Sequence, residues 1–136
     1  MSPVPLAAEA LLADFSPATR ALAERVLAIV TAHVPDVDVR AYPGWRGLGL
    51  RDAQSGYFCG VFPRHEDAGD GGGRSECVRV LFEHGASLPD PDGMFTGGGA
   101  QTRWATLRVG EPVPEAALLR MVDAALLHGA ARGRRT

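Results

Sequence analysis

The apolar residues of this chain change their period twice, and that change constrains the fold more than any other feature. Near the N-terminus Leu22, Val26, Ile29, Val30 and His33 recur with helical spacing, while Arg20, Glu24 and Thr31 fall elsewhere. Ser16 followed by Pro17 is an N-cap and first-turn pair, and Pro35 is a stop, so the spacing predicts a helix over about 17–33. Near the C-terminus Leu118, Met121, Val122, Ala125 and Leu126 form a wide apolar stripe. Pro112 and Pro114 introduce that helix, and Gly129 is expected to end it. A shorter run over 6–13, behind Pro5, has the length of two helical turns.

Between these ends the period is that of strands. Leu48 and Leu50 alternate with Gly47, Gly49 and Arg51; Gln54–Ser55–Gly56 is a turn, and 57–62 is a second strand of the same hairpin. The polar, glycine-rich stretch 63–76, with Gly71–Gly72–Gly73, predicts a mobile loop. Cys77–Glu83 is the clearest strand, a long loop spans 84–103, and Trp104–Val109 is the last strand. Helix, strands, helix with short strand connections predicts an α+β two-layer sandwich. Its antiparallel sheet has four to six strands, with the N- and C-terminal helices packed on one face. One domain is expected over 6–130, followed by a basic flexible tail over 131–136.

Composition narrows the function classes. The chain of 136 residues is the size of one domain, and its apolar content of 46% is that of a folded chain. A net charge of -2 makes no electrostatic case for nucleic acid. No window is apolar enough to span a bilayer, and Met1–Pro5 lacks the basic start of a secretory signal. These observations predict a cytoplasmic domain without nucleic-acid or membrane partners, whose two cysteines are reduced thiols. All 14 basic residues are arginine, with no lysine and no asparagine, which is the codon bias of a GC-rich genome.

Strand alternation separates two sheet faces. Leu48, Leu50, Val78, Val80, Phe82, Ala105, Leu107 and Val109 belong under the helices. Arg51, Cys77, Arg79, Glu83, Trp104, Thr106 and Arg108 fall on the opposite, open face, with Trp45 and Tyr57 near its edge. Guanidinium groups stack on aromatic rings and grip carboxylate or phosphate with a planar fork, so this face is the candidate site for a small anion or a partner. The plainer alternative is a solvated face whose arginine stems cover apolar surface.

The 84–103 loop is the other candidate. Asp90–Pro91 and Asp92–Gly93 are turn formers, and Gly97, Gly98 and Gly99 are able to present backbone N–H groups to an anion. His84 opens the loop and is the histidine best placed for a site, with Asp90 and Arg103 as neighbours. His33 and His128 are expected at helix C-termini, where the dipole favours imidazolium. His65 with Glu66, Asp67 and Asp70 lacks metal-ligand spacing. Cys59 and Cys77 are either buried thiols or neighbours on adjacent strands, and no motif marks an enzyme class.

The run Val78–Gly85, then Leu88–Pro89–Asp90–Pro91–Asp92–Gly93, then Gly97, Gly99 and Arg103, resembles the YdhG-like domain of unknown function. Tyr42–Pro43–Gly44–Trp45 and Gly56–Gly60 are similar to one branch of that family, and the likeness covers roughly residues 6–128. It implies a frataxin-like arrangement and, because one member is an iron chaperone, a possible metal role. The acids that such a role uses are sparse here: the first long helix carries only Glu24, and Val39 falls where the family often has a glutamate. The resemblance implies that Asp90 shapes a turn, that Gly97 and Gly99 give positive φ, and that Arg103 ties the loop to the sheet.

The expected function is therefore a non-enzymatic binder of a small anionic ligand or protein partner. Its site is built from Trp45, Arg79, His84, Asp90, Gly97, Gly99, Arg103, Trp104 and Arg108, with no metal and no cofactor. Alternatives are a frataxin-type iron or metal chaperone and an enzyme using Cys59 or Cys77 with His84. Edge strands and the open face also offer a route to a homodimer.

Overall fold

The helix Pro17–His33 (α2) begins where Ser16 can cap it: its hydroxyl accepts the Thr19 N–H at 3.2 Å and donates to the Glu76 carboxylate at 2.8 Å. One side chain thus starts a helix and ties it to a strand sixty residues away. The computed structural model describes residues 5–67 and 74–133. Within them Leu6–Leu12 (α1) precedes α2, and five strands follow: β1 (Asp38–Tyr42), β2 (Gly47–Asp52), β3 (Gly56–Asp67), β4 (Arg74–Phe82) and β5 (Arg103–Arg108). A final helix, α3, runs over Glu115–Gly133.

The strands form one antiparallel sheet in sequence order, β1-β2-β3-β4-β5. The connections β1–β2 and β2–β3 are short and favour antiparallel pairing, and β5 pairs with β4 even across the long loop between them. Val39 pairs with Leu50, Leu48 with Val61, Val61 with Val80 and Val80 with Ala105. This apolar ladder faces α2 and α3, whose Val26, Leu27, Val30, Leu118, Met121 and Val122 are buried with it. The face assigned to the helices from strand parity is the buried one, apart from Val109, which lies beyond β5 and is half-buried. Among the described residues no helix is long and apolar enough to cross a membrane.

Several expectations are corrected. Asp38–Tyr42 is a strand of its own, too short and mixed to stand out from its pattern. The loop expected over 63–76 is mostly strand: Pro63 through Asp67 pair with Val78 back to Arg74. Backbone ladder bonds carry this extension, and they leave no apolar signature. Gly71–Gly73 and Asp70 lie outside the described residues, as do Met1–Val4 and 134–136, and so do the side chains of His65, Glu66 and Asp67.

Gly129 does not end α3, which continues to Gly133, so the tail expected from 131 begins inside the helix. The glycine is there for clearance, because a Cβ on it would meet the Ser55 carbonyl oxygen at 2.6 Å. Ser55 Oγ donates to the Leu126 carbonyl at 2.7 Å, so the β2–β3 turn rests directly on the helix. His128 is consequently an interior helix residue rather than a C-terminal one. His33 does end α2, and its Nε2 lies 2.7 Å from Asp123 on α3.

A bulge interrupts β2–β3: Leu50 pairs with Cys59 and Arg51 with Tyr57, which leaves Phe58 as the extra residue. Phe58 turns into the core and is buried. Cys59 pairs with Leu50 on the helix side, while Cys77 pairs with Arg64 and Arg108 on the other, so the two thiols do not face each other. Neither forms a disulfide among the described residues, and both are buried.

Candidate functional site

The open face of the sheet is not flat. Gly47, Gly49 and Gly60 sit side by side across β2 and β3, and neighbouring rings occupy the space where their side chains would be. A Cβ on Gly47 would collide with Phe62, one on Gly49 with Tyr42 and Tyr57, and one on Gly60 with Phe62 and Tyr57. Three aromatic side chains thus lie down against bare backbone, and the sheet acquires an aromatic floor.

Around this floor is a concavity of about 720 Å³. Tyr57, Phe62 and Leu81 lie in it, Trp104 lines the β5 side, and Tyr42 and Trp45 line the β1 side. The Tyr42 and Trp45 rings stack with centroids 5.3 Å apart and planes at 22°. Trp45 is positioned by a single 3-10 turn, Pro43–Trp45, which closes because Arg46 adopts the left-handed region at φ 54. It remains 64% exposed, a large ring offered to solvent at the rim.

Two cations enter the same concavity from one end. Arg79 and Phe62 are cross-strand partners, and Arg64 lies one step along the ladder opposite Cys77. The Arg79 guanidinium lies 5.1 Å from the Trp104 ring centroid, and that of Arg64 lies 5.1 Å from Phe62. Arg64 also donates to the carbonyls of Trp45 at 3.1 Å, Arg46 at 3.2 Å and Pro63 at 2.8 Å, which pins the rim turn to the floor. Burial holds the Arg64 guanidinium below its ordinary range, and the nearby charges of Arg79 and Arg46 add to that. Positive charge is crowded where water is partly excluded, and an anion placed there would relieve it. At the far end are Glu83 and Thr102. Tyr57 is held as a neutral phenol, chiefly by burial and then by the nearby Cys59, Glu83 and Tyr42.

The residues singled out from sequence divide into three groups. Trp45, Arg79 and Trp104 line the concavity. Gly97 supports it from behind: at φ 125, it sits where a Cβ would lie 2.9 Å from the Trp104 ring, whereas Gly99 does not adopt the positive φ expected of it and offers its carbonyl to Arg103. Thr96 exchanges both backbone bonds with Trp104, at 2.7 and 3.1 Å. Arg103 pairs with Phe82 on the helix side, and its guanidinium is tied to the carbonyls of Gly99 and Thr102. Arg108 pairs with Cys77 and does not line the concavity, nor does Arg51.

His84 and Asp90 are elsewhere. The His84 and His128 rings lie 5.4 Å apart beside a second hollow of only about 20 Å³ between the sheet end and α3. Asp90 closes a turn by accepting the Met94 and Phe95 N–H groups at 2.8 and 3.1 Å. Phe95 then packs edge-on against Phe82 at 5.5 Å, and Asp92 takes a two-pronged grip from Arg120 of α3 at 3.0 and 2.8 Å. The first half of the loop therefore serves the helix side, and only Thr102 of its second half reaches the open concavity.

Tyr42, Phe62, Arg64, Leu81 and Thr102 were not singled out from sequence. The signal for two of them was present: Gly60, Phe62 and Arg64 continue the alternation of β3, but the Pro63 boundary hid it. Among the described residues no group of three or more His, Cys, Asp or Glu is placed to hold a metal ion. Burial pushes the Cys59 thiol up, which is the opposite of an activated nucleophile. No protein-family model, curated protein or solved structure matches the chain.

Proposed function

We propose that this domain binds a small organic anion on the open face of its sheet, with the anionic group between Arg64 and Arg79 and a flat apolar body over Phe62, Leu81 and Trp104. The observation that carries this reading is the placement of the Arg64 and Arg79 guanidinium groups, the first of them partly desolvated, at one end of an aromatic-floored concavity. Its volume of about 720 Å³ is within the range of small-molecule sites. A solvated sheet face needs no glycine stripe to seat three rings against the backbone.

Biphenyl-4-carboxylate and its neutral carboxamide test the reading by calorimetry. The carboxylate is expected to bind about tenfold tighter, since a charge-assisted contact is worth about 1.5 kcal/mol. Arg79→Met and Arg64→Met keep most of the apolar stem and should each remove most of that difference. Equal affinity for the two probes, or an unchanged preference in both variants, overturns the proposal.

Exposure of Trp45 at the rim favours a second reading, in which a protein partner, including a second copy of the chain, docks over the same face. Sedimentation of the wild type and of Trp45→Ala across a concentration series tests self-association. As to lineage, we propose a YdhG-like domain with a frataxin-like layout; the support is the order of a helix, an antiparallel meander and a helix.

A further inference from the structure

We infer that the ligand of this face is bipolar: an anion at the arginine end, a flat body, and a hydrogen-bond-donating or cationic group at the Glu83 end. This rests on the small-anion reading and adds a second pole to it. Along β4 the positions facing the concavity are Arg79, Leu81 and then, just past the strand end, Glu83. Four residues of extended chain set the two poles about 13 Å apart at the backbone. Leu81 lies between them, opposite Gly60 on β3 and Trp104 on β5; the Phe62 ring and the Tyr57 hydroxyl lie over Gly60, so the middle is mostly apolar and carries no charge.

The far pole is assembled from two directions. Glu83 comes from the end of β4, and Thr102 comes from the loop that Arg103 ties down, its hydroxyl 3.4 Å from the Glu83 carbonyl. Among the described residues the Glu83 carboxylate has no hydrogen-bond or ion-pair partner. Tyr57, the floor ring whose phenol feels the Glu83 charge, remains a neutral hydroxyl. A carboxylate at this end disfavours a second anion and rewards a donor. A simple dianion therefore fits less well than an extended zwitterion or an amide-bearing acid.

The test compares biphenyl-4-carboxylate with the same acid carrying a 4′-aminomethyl group, on the full chain, by calorimetry. The amine should tighten binding about fivefold, the upper range of a partly exposed ion pair. Glu83→Gln, a substitution at an exposed position, should abolish that gain while leaving the plain acid bound at least as well as in wild type. Equal affinity of the two acids for wild type, or a gain that survives Glu83→Gln, overturns the bipolar ligand and leaves the anion site standing. If neither acid binds, the anion site itself falls, and the bipolar ligand with it.

Discussion

Replacing Gly129 with alanine sets two effects of opposite sign against each other. In an open helix interior the change stabilises by about 1 kcal/mol, because glycine has more backbone entropy to lose. Here the new Cβ would lie 2.6 Å from the Ser55 carbonyl oxygen, 2.9 Å from its Cβ and 3.1 Å from its Cα. Two of those three atoms are backbone, and the turn that carries them has little room to retreat. The Asp52 carboxylate holds it by accepting the Gln54 and Ser55 N–H groups at 3.2 and 3.1 Å, and Ser55 Oγ holds it to the Leu126 carbonyl. Overpacking of this kind costs about 1–3 kcal/mol, and losing the Ser55 hydrogen bond adds about 1 kcal/mol. The net expectation is a destabilisation of about 1–3 kcal/mol, or a fall in Tm of about 4–10 °C for a chain of this size.

Urea unfolding followed by far-ultraviolet circular dichroism measures the effect, with an unchanged m-value showing that the same surface is exposed. Ser55→Ala alone should cost about 1 kcal/mol, and combined with Gly129→Ala the losses should fall short of additive, since both act on one contact. A Gly129→Ala protein as stable as wild type, or more stable, would refute the packing argument.

Three further outcomes are expected. Cys59 and Tyr57 are both held in their neutral forms above their ordinary values of 9.0 and 10.0. That contribution is complete below the unfolded values and is lost as pH rises, so stability should be level up to about pH 9 and then fall; Cys59→Ala should remove the lower part of the slope in urea midpoints. Asp92 is held below its ordinary 3.8 by the hydrogen bonds from Arg120, so its contribution is present above that value and lost as pH falls through the lower one. Asp92→Asn should raise amide exchange at Met94 and Phe95 at neutral pH, and exchange there unchanged from wild type would contradict the anchoring role. Gly60→Ala should push Tyr57 and Phe62 out of place and weaken biphenyl-4-carboxylate binding several-fold, with retained affinity counting against an aromatic floor.

Much of the scaffold was legible in local chemistry. Ser16 and Pro17 mark the start of α2, and Pro35 follows its end, because capping bonds and proline sterics act within a few residues. Alternation assigned Val78, Val80 and Phe82 to the core and Arg79 to the open face, because successive strand side chains must point to opposite sides. Asp90 shapes its turn, as its residue type implies.

What only the tertiary structure decided depends on contacts between residues far apart in sequence. Gly129 reads locally as a helix stop, yet the nearby Ser55 backbone makes it a clearance position within a continuing helix. Polar residues past Pro63 read as a loop, yet a ladder with β4 keeps them extended and brings Arg64 beside Arg79. His84 and Asp90 read as partners of that face, yet the turn at the end of β4 sends one toward His128 and the other to the helix side. The order of elements and the two faces follow from side-chain period and local capping. The shape of the concavity follows from how strands pair and where rings find bare glycine, and neither has a local signature.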